Sequence, residues 1–380
     1  MAGDPAHTRF NGSAGPTIGV EAELFLVDLE SLDLTDGAQA ILAACADDSP
    51  GDDPRIKGEL LDSLIEVNTG ICGDVAQVRR DLTGSIAKVR QTARELNMGL
   101  VSMGTHPFAR WSDAHVSRDP RYQNILRRME FPVRRLLIAG LHVHIGVPDG
   151  SAAVKAVNAL LRYVPHFIAL AANSPFWDGD TTGLASTRMK VFEGMPTTGL
   201  PPPLGGYGEF EKLVATLVRA DAIESIRDIW WDIRPHPGFG TVEIRLMDAP
   251  PSINSMVLMA AFSQCLVQHL LEAPGDSGET ELLPVWVVEE NKWRAVRHGM
   301  AADIIIDGEG QQQALRSNLL NLLADLESTA RTLGCARELE QLARAAEGRE
   351  PGSIQLQRYA ASGNLQAVVR GAMEDLAASL

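Results

Sequence analysis

Apolar residues alternate at Ile18, Val20, Ala22, Leu24 and Leu26, with Gly19, Glu21 and Glu23 between them. A period of two sends successive side chains to opposite faces, so this segment predicts a strand with one polar face. Residues 64–69 and 100–104 predict short strands, and the alternation over 141–147 predicts another. Asp74 precedes Val75, Val78, Leu82, Ile86, Val89, Ala93 and Leu96, which are apolar at helical spacing, with Gly99 just beyond. That is the pattern of a capped amphipathic helix. A long apolar helix is expected over 152–172. Residues 226–234 and 241–247 read as strands separated by a turn at His236-Pro237-Gly238. After Ser252 the pattern is helical almost to Leu380. Residues 1–16 carry Gly, Pro, Ser and Asp without periodicity and read as a mobile arm. Residues 46–54 read as an acidic, Pro-containing loop.

Strands concentrate before residue 250, with helices among and after them. This predicts an α+β fold, a mainly antiparallel sheet backed by helices. Neither Gly-x-x-x-x-Gly-Lys-Ser/Thr nor Gly-x-Gly-x-x-Gly after a strand occurs, so both common phosphate-loop readings fail. The 380-residue chain is 45% apolar and 22% charged, an ordinary globular composition. Its net charge of −15 repels a nucleic-acid backbone. A single phosphate group can still be held where arginines or metals supply positive charge. No apolar run reaches the ~18–20 residues of a membrane span, and residues 1–8 lack the apolar core of a secretory signal. Cys45, Cys72, Cys265 and Cys335 are widely spaced without a Cys-x-x-Cys pair, as expected of inert, reduced thiols in a cytoplasmic protein.

The strongest chemical signal is polar residues two apart in strands that are otherwise apolar. Glu21 and Glu23, His142 and His144, and Glu243 and Arg245 each share one strand face. A fourth segment supplies Glu59, Glu66 and Asn68. The spacing of Glu59 and Glu66 is odd, so they cannot share a face of one straight strand, and a turn is expected near Asp62-Ser63. A single Glu-x-Glu pair is commonly the wet face of a sheet. Several buried carboxylates together cost many kcal/mol unless cations balance them. Carboxylate oxygens with one imidazole suit Mg²⁺ or Mn²⁺ better than Zn²⁺. Arg188, Arg234 and Arg245 lie near these strands, and guanidinium is the usual fork for carboxylate and phosphate. On a helix, Glu290, Arg294 and Arg297 would share a face, either as a solvated charged surface or as part of the site. No nucleophile elbow supports a Ser-His-Asp reading.

Seven segments in this order resemble one family. They are Gly19-Val-Glu-Ala-Glu, Gly104-Thr-His-Pro-Phe, His142-Val-His-Ile-Gly-Val, Ala172-Asn-Ser-Pro-Phe-Trp, Ile229-Trp-Trp-Asp-Ile-Arg-Pro, Gly240-Thr-Val-Glu-Ile-Arg and Glu290-Asn-Lys-Trp-Arg-Ala. The family is the bacterial carboxylate–amine ligases, or glutamate–cysteine ligase type 2, and the resemblance runs from about residue 17 to the C-terminus. It implies a glutamine-synthetase-like catalytic fold over 17–380, a curved sheet forming a funnel that ATP and an amino acid enter from opposite ends. It also implies Glu23, Glu59 and Glu66 on one metal, and Glu21, His142 and Glu243 on another. Arg188 and Arg234 fall at the phosphates and Arg245 near the acid substrate, with Asn291 and Arg294 as further nucleotide contacts. The implied cofactors are ATP and Mg²⁺ or Mn²⁺. The implied substrates are glutamate and an amine such as cysteine, and a homodimer is the expected assembly. The family often has three successive glutamates where this chain has Glu21-Ala22-Glu23. The middle residue points to the opposite face, so no ligand is lost. The segment 348–359 is less typical of the family.

Three rivals stand beside this reading. The same ligase chemistry could serve another amine. A zinc amidohydrolase also uses His-x-His on a strand, but wants more histidines and a metal-bridging residue. A non-catalytic sensor could keep the fold and bind nucleotide or amino acid.

Overall fold

The computed structural model describes residues 8–47, 55–272 and 282–380. Seven strands form the main sheet. They are β1 (Ile18–Asp28), β2 (Ile56–Gly58), β3 (Leu64–Asn68), β4 (Met98–Val101), β5 (Gly140–Gly146), β6 (Ile233–His236) and β7 (Thr241–Asp248). Their order is β6-β7-β5-β1-β3-β2, and every pairing is antiparallel. The long β1 pairs with β5 through its first half and with β4 through its second. Fold class and sheet type are those the pattern predicts.

Seven helices matter to the site and its support. They are α1 (Val75–Glu95), α2 (Pro120–Met129), α3 (Gly150–Leu160), α4 (Val164–Ala171), α5 (Thr187–Phe192), α6 (Ile253–Glu272) and α7 (Val285–His298). Asp74 caps α1 by accepting from the Gln77 N–H at 2.8 Å. The single helix expected over 152–172 is broken by a 3₁₀ turn at Leu161–Tyr163. Pro165 explains the break, because it lacks an N–H and its ring meets the carbonyl four residues back. The strand expected over 226–234 is likewise shorter, since Ile226–Asp228 is a 3₁₀ turn. The mostly helical C-terminal part also holds a small hairpin, Asp303–Ile305 with Gln312–Ala314.

Ile18, Val20, Ala22, Leu24 and Leu26 face the helices and join α1, α3, α4 and α6 in the largest apolar cluster. Each such side chain contributes about 1.5–3 kcal/mol by leaving water. One helix, Ile253–Glu272, does have the length and hydropathy of a membrane span, contrary to the sequence expectation. Because 72% of its 18-residue apolar window is buried inside the protein, it is accounted for as the central core helix.

The opposite sheet face carries the polar residues, and the strand register sets them in rows. Arg234, Glu243, His144 and Gly19 are successive cross-strand partners. So are His142, Glu21 and Asn68, and then Glu23, Glu66 and Lys57. A bulge in β7 between Ile244 and Met247 adds a residue against β5. It returns Met247 to the core behind Arg245. Beyond the rows, Phe25 and Val27 turn this face apolar again, against Leu61, Val101 and Ala139.

Of the arm expected at 1–16, residues 1–7 lie outside the described residues. The remainder has no regular structure but is tied down. The Asn11 N–H donates to Pro237 O at 3.0 Å, the Ser13 N–H to Val147 O at 2.8 Å, and Gln264 Nε2 to Pro16 O at 2.6 Å. Of the acidic loop at 46–54, Ala46 and Asp47 end a helix, and 48–54 lie outside the described residues.

His106 is buried in the loop after β4. Its Nδ1 accepts from the Ala109 N–H at 3.0 Å, so Nε2 carries the proton toward Leu32 O, also at 3.0 Å. Burial pushes its pKa down to about 4 from 6.5. The unfolded chain therefore binds this proton more readily. The stabilisation is full above pH 6.5 and is lost as pH falls toward 4, costing about 2 kcal/mol at pH 5. Urea denaturation at pH 7.5 and pH 5 should show wild type losing about 2 kcal/mol more than His106→Gln. Equal losses would show that His106 is not a source of acid sensitivity.

Candidate active site

A cavity of about 560 Å³ lies over the polar rows. Two groups of ligand atoms converge in it, each with its atoms within 4.8 Å of one another: Glu21, His142 and Glu243, and Glu23, Glu59 and Glu66. The sheet places five of the six directly. Glu59 arrives from the segment after β2, and a turn at Asp62–Ser63 separates it from Glu66. Both groups are oxygen-rich with at most one imidazole, a donor set that fits Mg²⁺ or Mn²⁺.

The first group is already balanced by protein cations. His142 Nδ1 lies 3.2 Å from Glu21 Oε2, and His144 Nε2 lies 3.4 Å from Glu21 Oε1. Arg234 Nε pairs with Glu243 Oε2 at 2.7 Å, and Arg245 Nη1 pairs with the other oxygen. Burial pushes the Glu243 carboxyl up, but Arg234, Arg245 and His144 outweigh it and hold it well below the usual carboxylate range. Burial likewise raises Glu21, and His144 and His142 more than reverse it. Burial lowers His144, yet Glu243 and Glu21 leave it above the ordinary imidazole value.

The second group has fewer such partners, with His142 Nε2 3.7 Å from Glu23 Oε1. Lys57, half-exposed, reaches Glu66 at 3.6 Å, and Asn68 Nδ2 donates to Glu66 Oε1 at 2.7 Å. Glu59 accepts from its neighbour Leu60 N–H at 3.0 Å and from Tyr122 Oη at 3.3 Å. Burial, then the charges of Glu66 and Glu23, push Glu59 well above the usual range. Three carboxylates with one half-exposed ammonium and an imidazole shared with Glu21 form a site short of positive charge, which a divalent cation would supply.

Arg188 reaches the cavity from α5 and is 2% exposed. Its Nη1 donates to Arg245 O at 3.2 Å, while its Nε has no hydrogen-bond partner among the described residues. Gly140 makes room for it: a Cβ there would lie 2.2 Å from Arg188 Nη2. Asp248, buried at the end of β7, accepts from Asn173 N–H at 2.8 Å, Ser174 Oγ at 2.6 Å and Ser186 Oγ at 2.7 Å. Ser174 Oγ in turn accepts the Arg188 N–H at 3.1 Å, so this hub sets where α5 begins. Gln355 Nε2, from the less typical 348–359 segment, donates to Asn173 O at 2.9 Å.

Asn291 and Arg294, expected as nucleotide contacts, are not among the residues that line this cavity. Asn291 is buried and spent on Ile305, donating to its carbonyl at 2.8 Å and accepting its N–H at 2.7 Å. Arg294 is paired with Glu290 and with Asp303 O. The motif's buried cation is instead Lys292, at 2.5 Å from Asp232 and 2.9 Å from Glu193. Sequence reading paired His144 with His142 on one strand face without assigning it a ligand role, and gave no role to Tyr122 or Asp248. His144 was signalled by its alternation with His142. Tyr122 carries no local signal, because its approach to Glu59 is purely tertiary.

A family-wide comparison matches residues 17–371 to "Glutamate-cysteine ligase family 2 (GCS2)". A protein of Thermobifida fusca named "Putative glutamate--cysteine ligase 2" is 46% identical over 337 residues, covering 88% of this chain and 84% of that one. A Gloeobacter violaceus protein of the same name is 38% identical over 360 residues, covering 95% and 96%. Among solved structures, the glutamate–cysteine ligase of Francisella tularensis in complex with AMP aligns with TM-score 0.68 at 13% identity, covering 96% of this chain and 89% of that one. A bifunctional glutathione synthetase from Pasteurella multocida also gives 0.68, at 14% identity, over 96% of this chain and 52% of that one. The two structures share the fold, and the family match spans nearly the whole chain. The chain belongs to glutamate–cysteine ligase family 2, a family of ATP-dependent carbon–nitrogen ligases.

Proposed function

We propose that this protein joins the γ-carboxylate of glutamate to an amine, using ATP. The observation that carries the reading is the pair of acidic groups on one sheet face, flanked by Arg188, Arg234 and Arg245. Divalent ions held by Glu21, His142 and Glu243 and by Glu23, Glu59 and Glu66 would neutralise phosphate charge. Arg234 is fixed by Glu243 and by the carbonyls of Ile226 and Ile229, a rigid cation aimed along the floor. Arg188, which lines the same cavity, would take an oxygen of the transferring phosphate. A glutamate carboxylate oxygen attacks the terminal phosphorus and ADP leaves, giving an acyl phosphate. The amine nitrogen then attacks the acyl carbon. The C–O bond to phosphate breaks, the amine proton is released, and an amide and inorganic phosphate result. With cysteine as acceptor the product is γ-glutamylcysteine.

Two substitutions test the reading through phosphate release from ATP with Mg²⁺, glutamate and an amine. Glu59→Gln removes one charge from a like-charged group, so the metal-free protein should keep or gain stability. Its turnover should fall by about 100-fold or more, equivalent to roughly 2.7 kcal/mol of barrier. Full activity in Glu59→Gln would remove that group from the reaction. Glu243→Gln is a poorer test, because it also strands Arg234 and Arg245 as buried unpaired charges. Gly140→Ala should displace the Arg188 guanidinium and lower kcat by about tenfold or more. Unchanged kinetics would take Arg188 out of the phosphate site.

A further inference from the structure

The four cysteines do not stand alike. Cys45 lies against the Thr92 hydroxyl at 3.7 Å, and Cys72 against the Gly70 carbonyl at 3.4 Å and Asp81 Oδ2 at 3.7 Å. Cys265 and Cys335 lie against each other, with their sulfurs 3.2 Å apart. They are 70 residues apart in sequence, so no local spacing signals the pair. Both are free thiols and both are fully buried, in the apolar cluster behind the sheet rather than in the cavity.

The two settings differ. Cys265 sits in α6, the central core helix, with buried neighbours on either side. Cys335 is the N-cap of the helix Ala336–Glu347, directly after Gly334, which has φ 73°. Gly334 and Arg337 are exposed, so a local opening of this turn uncovers Cys335 first. The hydrogen bond from the Cys265 thiol holds Cys335 below the ordinary thiol value, against burial and the Glu338 charge. The same contact, then burial, push Cys265 up. The helix N-terminus adds positive potential at Cys335. These settings fix the roles: Cys335 is the attacking sulfur and Cys265 the resolving one.

We propose that Cys265 and Cys335 are a peroxide-oxidisable pair that closes into a disulfide joining α6 to the C-terminal helices. This replaces the inert thiols that their spacing suggested, and it is independent of the ligase reading. The oxidant is hydrogen peroxide, since a buried pair excludes a bulky disulfide reagent. The Cys335 thiolate attacks one peroxide oxygen, the O–O bond breaks, and the released hydroxide takes a proton and leaves as water. The Cys265 sulfur then attacks the sulfur of the Cys335 sulfenic acid. The S–O bond breaks, the sulfenic oxygen leaves as a second water with the Cys265 proton, and the S–S bond forms. Two thiols are oxidised and one peroxide is reduced to two waters. From 3.2 Å, a bond of about 2.05 Å asks the sulfurs to approach by about 1.2 Å. The bond closes a loop over 265–335, which contains α7 and its Lys292 ties to Asp232 and Glu193. It therefore restricts the unfolded chain and holds the C-terminal helices to the core helix.

The native protein is treated with a few equivalents of hydrogen peroxide, quenched, unfolded and titrated for thiols, then digested without reductant. Two of the four cysteines should no longer titrate, and one linked peptide should hold Cys265 and Cys335. Dithiothreitol should restore all four. The oxidised protein should unfold at higher urea than the reduced protein, and neither Cys335→Ser nor Cys265→Ala should show that gain. Four titrating thiols after treatment, a sulfinic acid at Cys335, or a linked peptide holding Cys45 or Cys72 would overturn the proposal. An oxidised protein no more resistant to urea than the reduced one would overturn the holding role of the bond.

Discussion

The charge balance on one face of a seven-stranded sheet constrains everything else. Glu21, Glu23, Glu66, His142, His144, Arg234, Glu243 and Arg245 all emerge from paired strands into one cavity. Isolated burial of such groups would unfold a domain of ordinary stability. They are tolerated because the register brings opposite charges together wherever the protein can supply both. Arg234 and Arg245 clamp Glu243, and His142 and His144 face Glu21. Where it supplies too little positive charge, at Glu23, Glu59 and Glu66, the deficit is the feature an incoming cation answers.

The backing follows from that constraint. A sheet with a charged face must be held rigidly from behind, and the apolar face of β1 packs on four core helices. Rigidity is extended to the pieces that are not strands. Asp248 fixes the start of α5 through Ser174 and Ser186, and Lys292 ties α7 to Asp232 on the edge of β6 and to Glu193 beyond α5. The β7 bulge lets one strand present Glu243 and Arg245 to the cavity while Leu246 and Met247 stay in the core.

The strands and the acidic floor were legible because both rest on a local period of two. Alternation in 18–26, 141–147 and 241–247 gave strand, face and polar set together. The odd spacing of Glu59 and Glu66 even required the turn that separates them. The strand pairing itself was not legible, nor was the partition into one balanced and one unbalanced group. Both depend on which residues meet across strands. The 152–172 helix was overextended because its apolar pattern ran straight through Pro165. For Asn291 and Arg294 the motif marks the segment without saying which of its side chains turns inward. In 290–295 the inward cation is Lys292, and Asn291 serves the hairpin behind it.

Counting bound Mn²⁺ ions by electron paramagnetic resonance, with ADP present, tests the charge-balance account most directly. The account requires at least one ion per chain in the wild type, held at Glu23, Glu59 and Glu66, and Glu59→Gln should bind one fewer. A wild-type chain that binds none, or a Glu59→Gln chain that binds as many as the wild type, would contradict it.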